Sequence, residues 1–292
     1  MARVPANGIE LEYDEFGHDD NPALVLIAGL GAQLIDWPEE FCQQLATRGL
    51  RVIRFDNRDA GLSTSLDHLG PPDLGAVLSG DQAAPYLLAD MAADTVGLFD
   101  ALGISKVHLV GVSMGGMIAQ QAAIDHPARL LSLCSISSTT GDASVGQPTD
   151  EALAALARPP AAGREQAIQG SAAASRVFSS PGFRLSDEEM LQRATVKYDR
   201  SNRPQGRLRQ IAAVAASPDR TKALREVTVP TMVIHGDADP LVSVSGGRAT
   251  AAAVPGAELV IIPGLGHDLP RSLWPQITEA IVRNTGRDYI AG

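Results

Sequence analysis

Cysteine is scarce: Cys42 and Cys134 are the only two in 292 residues, and neither has a second Cys or a His at metal-ligand spacing. That excludes a disulfide framework and a thiolate metal site, and both side chains read as small buried hydrophobes. Aromatic residues make up only 4% of the chain, too few for a large base-stacking platform. Positive charge is also in deficit. With 24 Lys+Arg against 34 Asp+Glu the formal charge is -10, which opposes long-range attraction to nucleic acid or anionic lipid. No apolar run approaches the ~20 residues of a membrane span, and Met1 to Glu10 lack the apolar stretch of a signal peptide. These absences lead to the expectation of a cytoplasmic protein with no metal, no nucleic-acid partner and no membrane span. They leave open whether it forms a homodimer.

What the sequence does contain is a 45% apolar, 20% charged balance suited to a large core, arranged in a repeating order. Ile9 to Tyr13 alternates apolar and polar residues, as a half-exposed strand does. Ala23 to Ala28 is continuously apolar, the mark of a parallel strand buried on both faces. Pro38 suits a helix first turn, Phe41, Leu45 and Ala46 share one helical face, and Arg51 to Asp56 is the following strand. The alternation continues through a helix marked by Met91, Leu98 and Leu102, a strand at Val107–Val112, a helix at Met114–His126 and a strand at Leu130–Ile136. Such units in series predict an α/β fold: a mostly parallel sheet with helices on both faces. From Thr140 to Arg220 the pattern turns purely helical, with a capping box at Ser186 and Glu189, before strands at Val229–Ile234 and Glu258–Ile262 and a closing helix at Leu273–Arg283. The expected organisation is therefore a core of residues 1–139 and 221–292 carrying an inserted helical cap, or lid, of residues 140–220. That insertion holds 11 Lys+Arg and 9 Asp+Glu.

The chemistry gathers at the ends of the predicted strands. Val107–Val110 runs through Gly111-Val112-Ser113-Met114-Gly115 into a helix, a G-x-S-x-G string in its strand-turn-helix context. There Ser113 is lifted clear of the sheet, beside the N–H groups of a helix start. A serine hydroxyl needs a base and a group to orient that base. His267 follows the last predicted strand in a glycine-bearing loop, and Asp239 follows the preceding one, with Asp237 as a nearby competitor. His18, His68, His108, His126 and His235 read as surface or strand residues, and Arg58 and Asp59 as braces of a turn.

With these motifs the chain resembles the α/β-hydrolase superfamily over nearly its whole length. Asp56-Asn57-Arg58-Asp59-Ala60-Gly61-Leu62-Ser63 is similar to the family's D-x-R-G-x-G-x-S turn, and Gly236 to Asp239 to its G-x-x-D acid turn. Together with Gly266-His267-Asp268-Leu269-Pro270, the first of these turns resembles bacterial carboxylesterases of the aclacinomycin methylesterase type. The resemblance implies a Ser113–His267–Asp239 triad, an oxyanion hole formed by the N–H groups of Leu30 and Met114, and no cofactor. The sequence departs from the family at Ala28-Gly29-Leu30-Gly31, where a His-Gly-x loop is usual, so no histidine side chain is present to brace that donor.

The implied reaction is hydrolysis of a carboxylic ester of a small or medium, largely apolar molecule through an acyl-enzyme on Ser113. Leu74, Val77, Leu78, Leu87, Leu88, Val177, Phe178, Phe183, Ile211 and Val214 form the apolar supply for a roof over the serine. A nicotinamide-binding reading of Gly29-Leu30-Gly31 fails at Leu34, where close helix packing needs glycine. Ser113 excludes the aspartate-dependent dehalogenases and epoxide hydrolases. Cofactor-free perhydrolysis of the haloperoxidase kind, C–C bond hydrolysis by the same triad, and a hydrolase-fold ligand sensor with little turnover stay open.

Overall fold

The computed structural model describes residues 1–159 and 161–286. Eight strands form one sheet: β1 (Ala2–Ala6), β2 (Ile9–Phe16), β3 (Ala23–Ile27), β4 (Arg51–Phe55), β5 (Val107–Val112), β6 (Leu130–Ile136), β7 (Thr231–Gly236) and β8 (Glu258–Ile262). Their spatial order is β1-β2-β4-β3-β5-β6-β7-β8. The first two strands pair antiparallel with their neighbours, and all other pairings are parallel.

Two-residue periodicity sends alternate side chains to opposite faces. Val25, Ile27, Ile53, Phe55 and Leu109 join one core cluster with helices α3 (Leu88–Ala101) and α4 (Met114–Asp125). Leu24, Leu26, Val52 and Val110 join the other with α1 (Glu39–Ala46) and α11 (Trp274–Asn284). Phe41 anchors that second face between Trp37, stacked at 5.6 Å, and Trp274, edge-on at 5.8 Å. Cys42 and Cys134 are buried free thiols, and burial pushes Cys42 up to about 12, so it stays unreactive at neutral pH. Helix α2 (Leu74–Ser79) follows β4, and α10 (Val244–Ala253) follows β7 and packs on the sheet. Among the described residues no helix is long and apolar enough to cross a membrane.

Five helices lie between β6 and β7: α5 (Asp150–Leu156), α6 (Arg164–Phe178), α7 (Asp187–Arg200), α8 (Pro204–Ala216) and α9 (Thr221–Leu224). Helices α6 and α7 share a small core of Ile168, Ala172, Met190 and Ala194. Helix α8 is keyed to the turn after β4 by a fully buried ion pair, in which Arg209 Nε and Nη2 donate to Asp59 Oδ2 and Oδ1 at 2.8 and 2.7 Å. Tyr86 donates to the same carboxylate at 2.9 Å. Removing one partner of a buried pair costs up to about 3–5 kcal/mol, and because Arg209 would keep Asp67 Oδ1 at 2.8 Å and Gly70 O at 2.9 Å the loss here falls at the lower end of that range. Urea unfolding of Asp59→Ala is therefore expected to show a destabilisation of that order.

The sequence expectation differs from the structure mainly at the rims. Strand β1 enters through a hairpin in which Asn7 and Gly8 both have positive φ, 49° and 79°. Strand β7 starts at Thr231, because Pro230 lacks the N–H a ladder needs. Two members of the apolar roof supply sit elsewhere: Leu88 is in the core and Leu78 is 72% exposed.

Candidate active site

Strand β5 ends at Val112 and is followed by Ser113, whose φ of 56° and ψ of −122° form a strained turn into α4. The neighbouring glycines make the turn possible by contact rather than by flexibility. A Cβ on Gly111 would strike the Gly115 carbonyl, and one on Gly115 would strike the carbonyl of Ile27. The turn is pinned from β6 and beyond: Ser113 N–H donates to Ile136 O at 2.8 Å and Ser138 Oγ donates to Ser113 O at 2.8 Å. Gly29 lies directly against it, since a Cβ built there would sit 3.3 Å from Ser113 Cβ and 3.8 Å from its Oγ. Among the described residues no acceptor takes the N–H of Leu30 or of Met114. The second of these belongs to the first turn of α4, where helical N–H groups point outward without partners.

The predicted acid and base meet. Asp239 follows β7, and its Oδ2 lies 2.7 Å from His267 Nδ1. Its Oδ1 accepts from Leu241 N–H and Val242 N–H, both at 2.9 Å. Burial by itself would push the Asp239 carboxyl up. The charge interaction with His267, hydrogen bonds from His235 and His267, and the Val242 N–H together hold it well below the usual carboxylate range. Asp237 takes a different role, accepting from Gly264 N–H at 2.7 Å and so shaping the loop that carries His267. With Nδ1 on the carboxylate, Nε2 is the nitrogen left for proton traffic. No hydrogen bond joins Ser113 Oγ to that imidazole among the described residues, whereas Asp239 and His267 are in contact.

Several partners have no sequence signature. His235 lies in β7, as expected of a strand residue, yet it is fully buried against the acid: its Nε2 donates to Val242 O at 2.8 Å and lies 3.5 Å from Asp239 Oδ2. The end of α6 holds the histidine loop, with His267 N–H donating to Phe178 O at 2.7 Å and Gly266 N–H to Ser180 Oγ at 2.8 Å. Ser180 Oγ in turn donates to Asp268, whose carboxyl is pushed up by burial and drawn back by the bonds from Ser180. The loop Ala28–Gly31 is held through its backbone, Asn57 Nδ2 donating to Ala28 O at 3.0 Å and Gly31 N–H donating to Gln210 Oε1 at 2.8 Å. Asp56 supports the segment beyond, accepting from Leu34 N–H at 2.6 Å and Leu62 N–H at 2.8 Å.

Comparison with known proteins agrees with this layout. A family model described as alpha/beta hydrolase fold matches residues 22–270. Rhodomycin D methylesterase DauP of Streptomyces sp. (strain C5) is 27% identical over 97% of this chain and 97% of its own length. Rhodomycin D methylesterase DnrP of Streptomyces peucetius is 27% identical over 95% of each. The crystal structure of the enol-lactonase from Burkholderia xenovorans LB400 superposes with a TM-score of 0.76 at 21% identity, covering 98% of this chain and 100% of that one. That likeness is one of fold. The methylesterase relatives support an esterase-type hydrolase. The match over residues 22–270, joined to the sheet order and the turn at Ser113, shows that this chain belongs to the α/β-hydrolase family.

Proposed function

We propose that the protein is a serine carboxylesterase acting on a small or medium, largely apolar ester. The carrying observation is the 2.7 Å contact between Asp239 and His267 in a fold whose strained strand-to-helix turn presents a serine. His267 Nε2 takes the Ser113 proton, Ser113 Oγ bonds to the ester carbonyl carbon, and the N–H groups of Leu30 and Met114 stabilise the resulting oxyanion. His267 gives the proton to the departing alkoxide, which leaves as the alcohol. Water then repeats the sequence on the acyl-enzyme, releasing the acid and free Ser113. Residues 140–220 are the proposed cap over the core of residues 1–139 and 221–292. The methylesterase names of two relatives support a small alkoxide as leaving group.

The test is hydrolysis of p-nitrophenyl esters of rising acyl length, run to many turnovers. Sustained release with an optimum at a short or medium chain is expected. A single stoichiometric burst without turnover would favour a ligand sensor instead. Turnover confined to peracid formation or to C–C cleavage of diketones would move the same residues to another reaction.

A further inference from the structure

The four residues Ala28-Gly29-Leu30-Gly31 carry no polar side-chain atom, so the loop's own bracing is confined to its backbone, where Ala32 N–H donates to Gly29 O at 3.2 Å. Among the described residues, two side chains from elsewhere hydrogen-bond to its backbone. One is Asn57, on Ala28 O. The other comes from the helical block: Gln210, fully buried in α8, accepts from Gly31 N–H at 2.8 Å and donates through Nε2 to Arg58 O at 2.8 Å. A donor on one side and an acceptor on the other leave a single orientation of the amide able to satisfy both. The helix itself is in strict register with the loop it meets. Arg209 grips Asp59 while Gln210 grips Arg58, consecutive residues on each partner, and a Cβ on Gly206 would strike the Asp59 carbonyl.

Holding Gly31 N–H fixes the Leu30–Gly31 peptide plane, one residue beyond the N–H proposed to receive the oxyanion. We propose that Gln210 is a positioning residue for that donor, so that the helical block, by docking α8, sets the oxyanion hole as well as covering it. The inference rests on the esterase reading for its kinetic consequence and on geometry alone for its structural one. It makes the cap part of the transition-state machinery, with no contact between Gln210 and substrate required.

The test compares Gln210→Met, which keeps length and removes both bonds, with Gln210→Glu, which keeps the acceptor for Gly31 N–H. A control is Gln33→Met: Gln33 is another buried amide tied to the block, through Lys197 O and Ser201 O at 2.9 Å, without touching the Ala28–Gly31 backbone. Loss of one aligned oxyanion donor is worth ~10²–10³ in rate. Gln210→Met is expected to lower kcat on p-nitrophenyl butyrate by about 10²-fold with KM changed less than about threefold, and to speed amide hydrogen exchange in the peptide spanning Gly31. Gln210→Glu is expected to recover at least tenfold of that loss, and Gln33→Met to leave kcat within about twofold. Unchanged exchange at Gly31, or an equal kcat loss in Gln33→Met, would overturn the inference. Altered exchange in a protein without Ser113-dependent turnover would sustain the positioning role and overturn the esterase reading alone.

Discussion

Ser113→Ala is expected to lower kcat on short acyl esters by about 10⁵–10⁶-fold while leaving the thermal unfolding midpoint close to wild type. The size follows from the loss of the covalent route: without Oγ there is no acyl-enzyme, and only the oxyanion donors and the binding surface remain to assist water. That remainder is worth ~10³-fold over the uncatalysed reaction. The fold has little reason to change. Ser113 makes its structural bonds through the backbone, by its N–H to Ile136 O and its carbonyl to Ser138 Oγ, and alanine keeps both. The positive φ of 56° stays strained with either side chain. Stopped assays with enzyme in large excess measure the residual rate, and a decrease below tenfold would remove Ser113 from the mechanism.

Asp239→Asn is expected to cost about 10⁴-fold in kcat, measured on the same substrates. The carboxylate accepts the Nδ1 proton of His267 at 2.7 Å, which leaves Nε2 bare to receive the Ser113 proton. An amide placed there offers N–H to Nδ1 and drives the proton to the wrong nitrogen. The same change has a pH signature in stability. A carboxyl held below its usual range contributes stability that is fully present above the unfolded value of about 3.9 and is lost as pH falls through the folded value. The margin of wild type over Asp239→Asn is thus expected to persist from neutrality down to about pH 4 and to narrow below it. A margin that instead widened on acidification would contradict the depressed carboxyl.

The central strands and the three proposed catalytic side chains were legible in the sequence for one physical reason: local pattern dictates them. A strand covered on both faces, such as Ala23–Ile27, must be apolar throughout, and a serine on a turn this tight must be flanked by glycines. What escaped is decided by distant contacts. Strand β1 contains Arg3 and Pro5 and is largely exposed at the sheet edge, so it has no buried pattern to read, although Asn7-Gly8 marks its turn. Helix α10 is masked by Gly246 and Gly247, whose missing side chains make room for the Ser138 carbonyl and the His235 ring. Gln210 and Ser180 are polar residues in a helix and at a helix end, where the simplest reading is solvent. Only the fold shows that one meets Gly31 and the other Gly266 and Asp268.

The most direct measurement is reaction with a fluorophosphonate followed by peptide mapping. The phosphorus adduct forms only on a hydroxyl that is deprotonated in place and faces an oxyanion hole, so it reports nucleophile, base and donors together. One adduct per chain is predicted, on Ser113, formed at a rate that falls steeply in Asp239→Asn. Stoichiometric labelling of any other residue, or unmodified Ser113 in a protein that still turns over esters, would contradict the account.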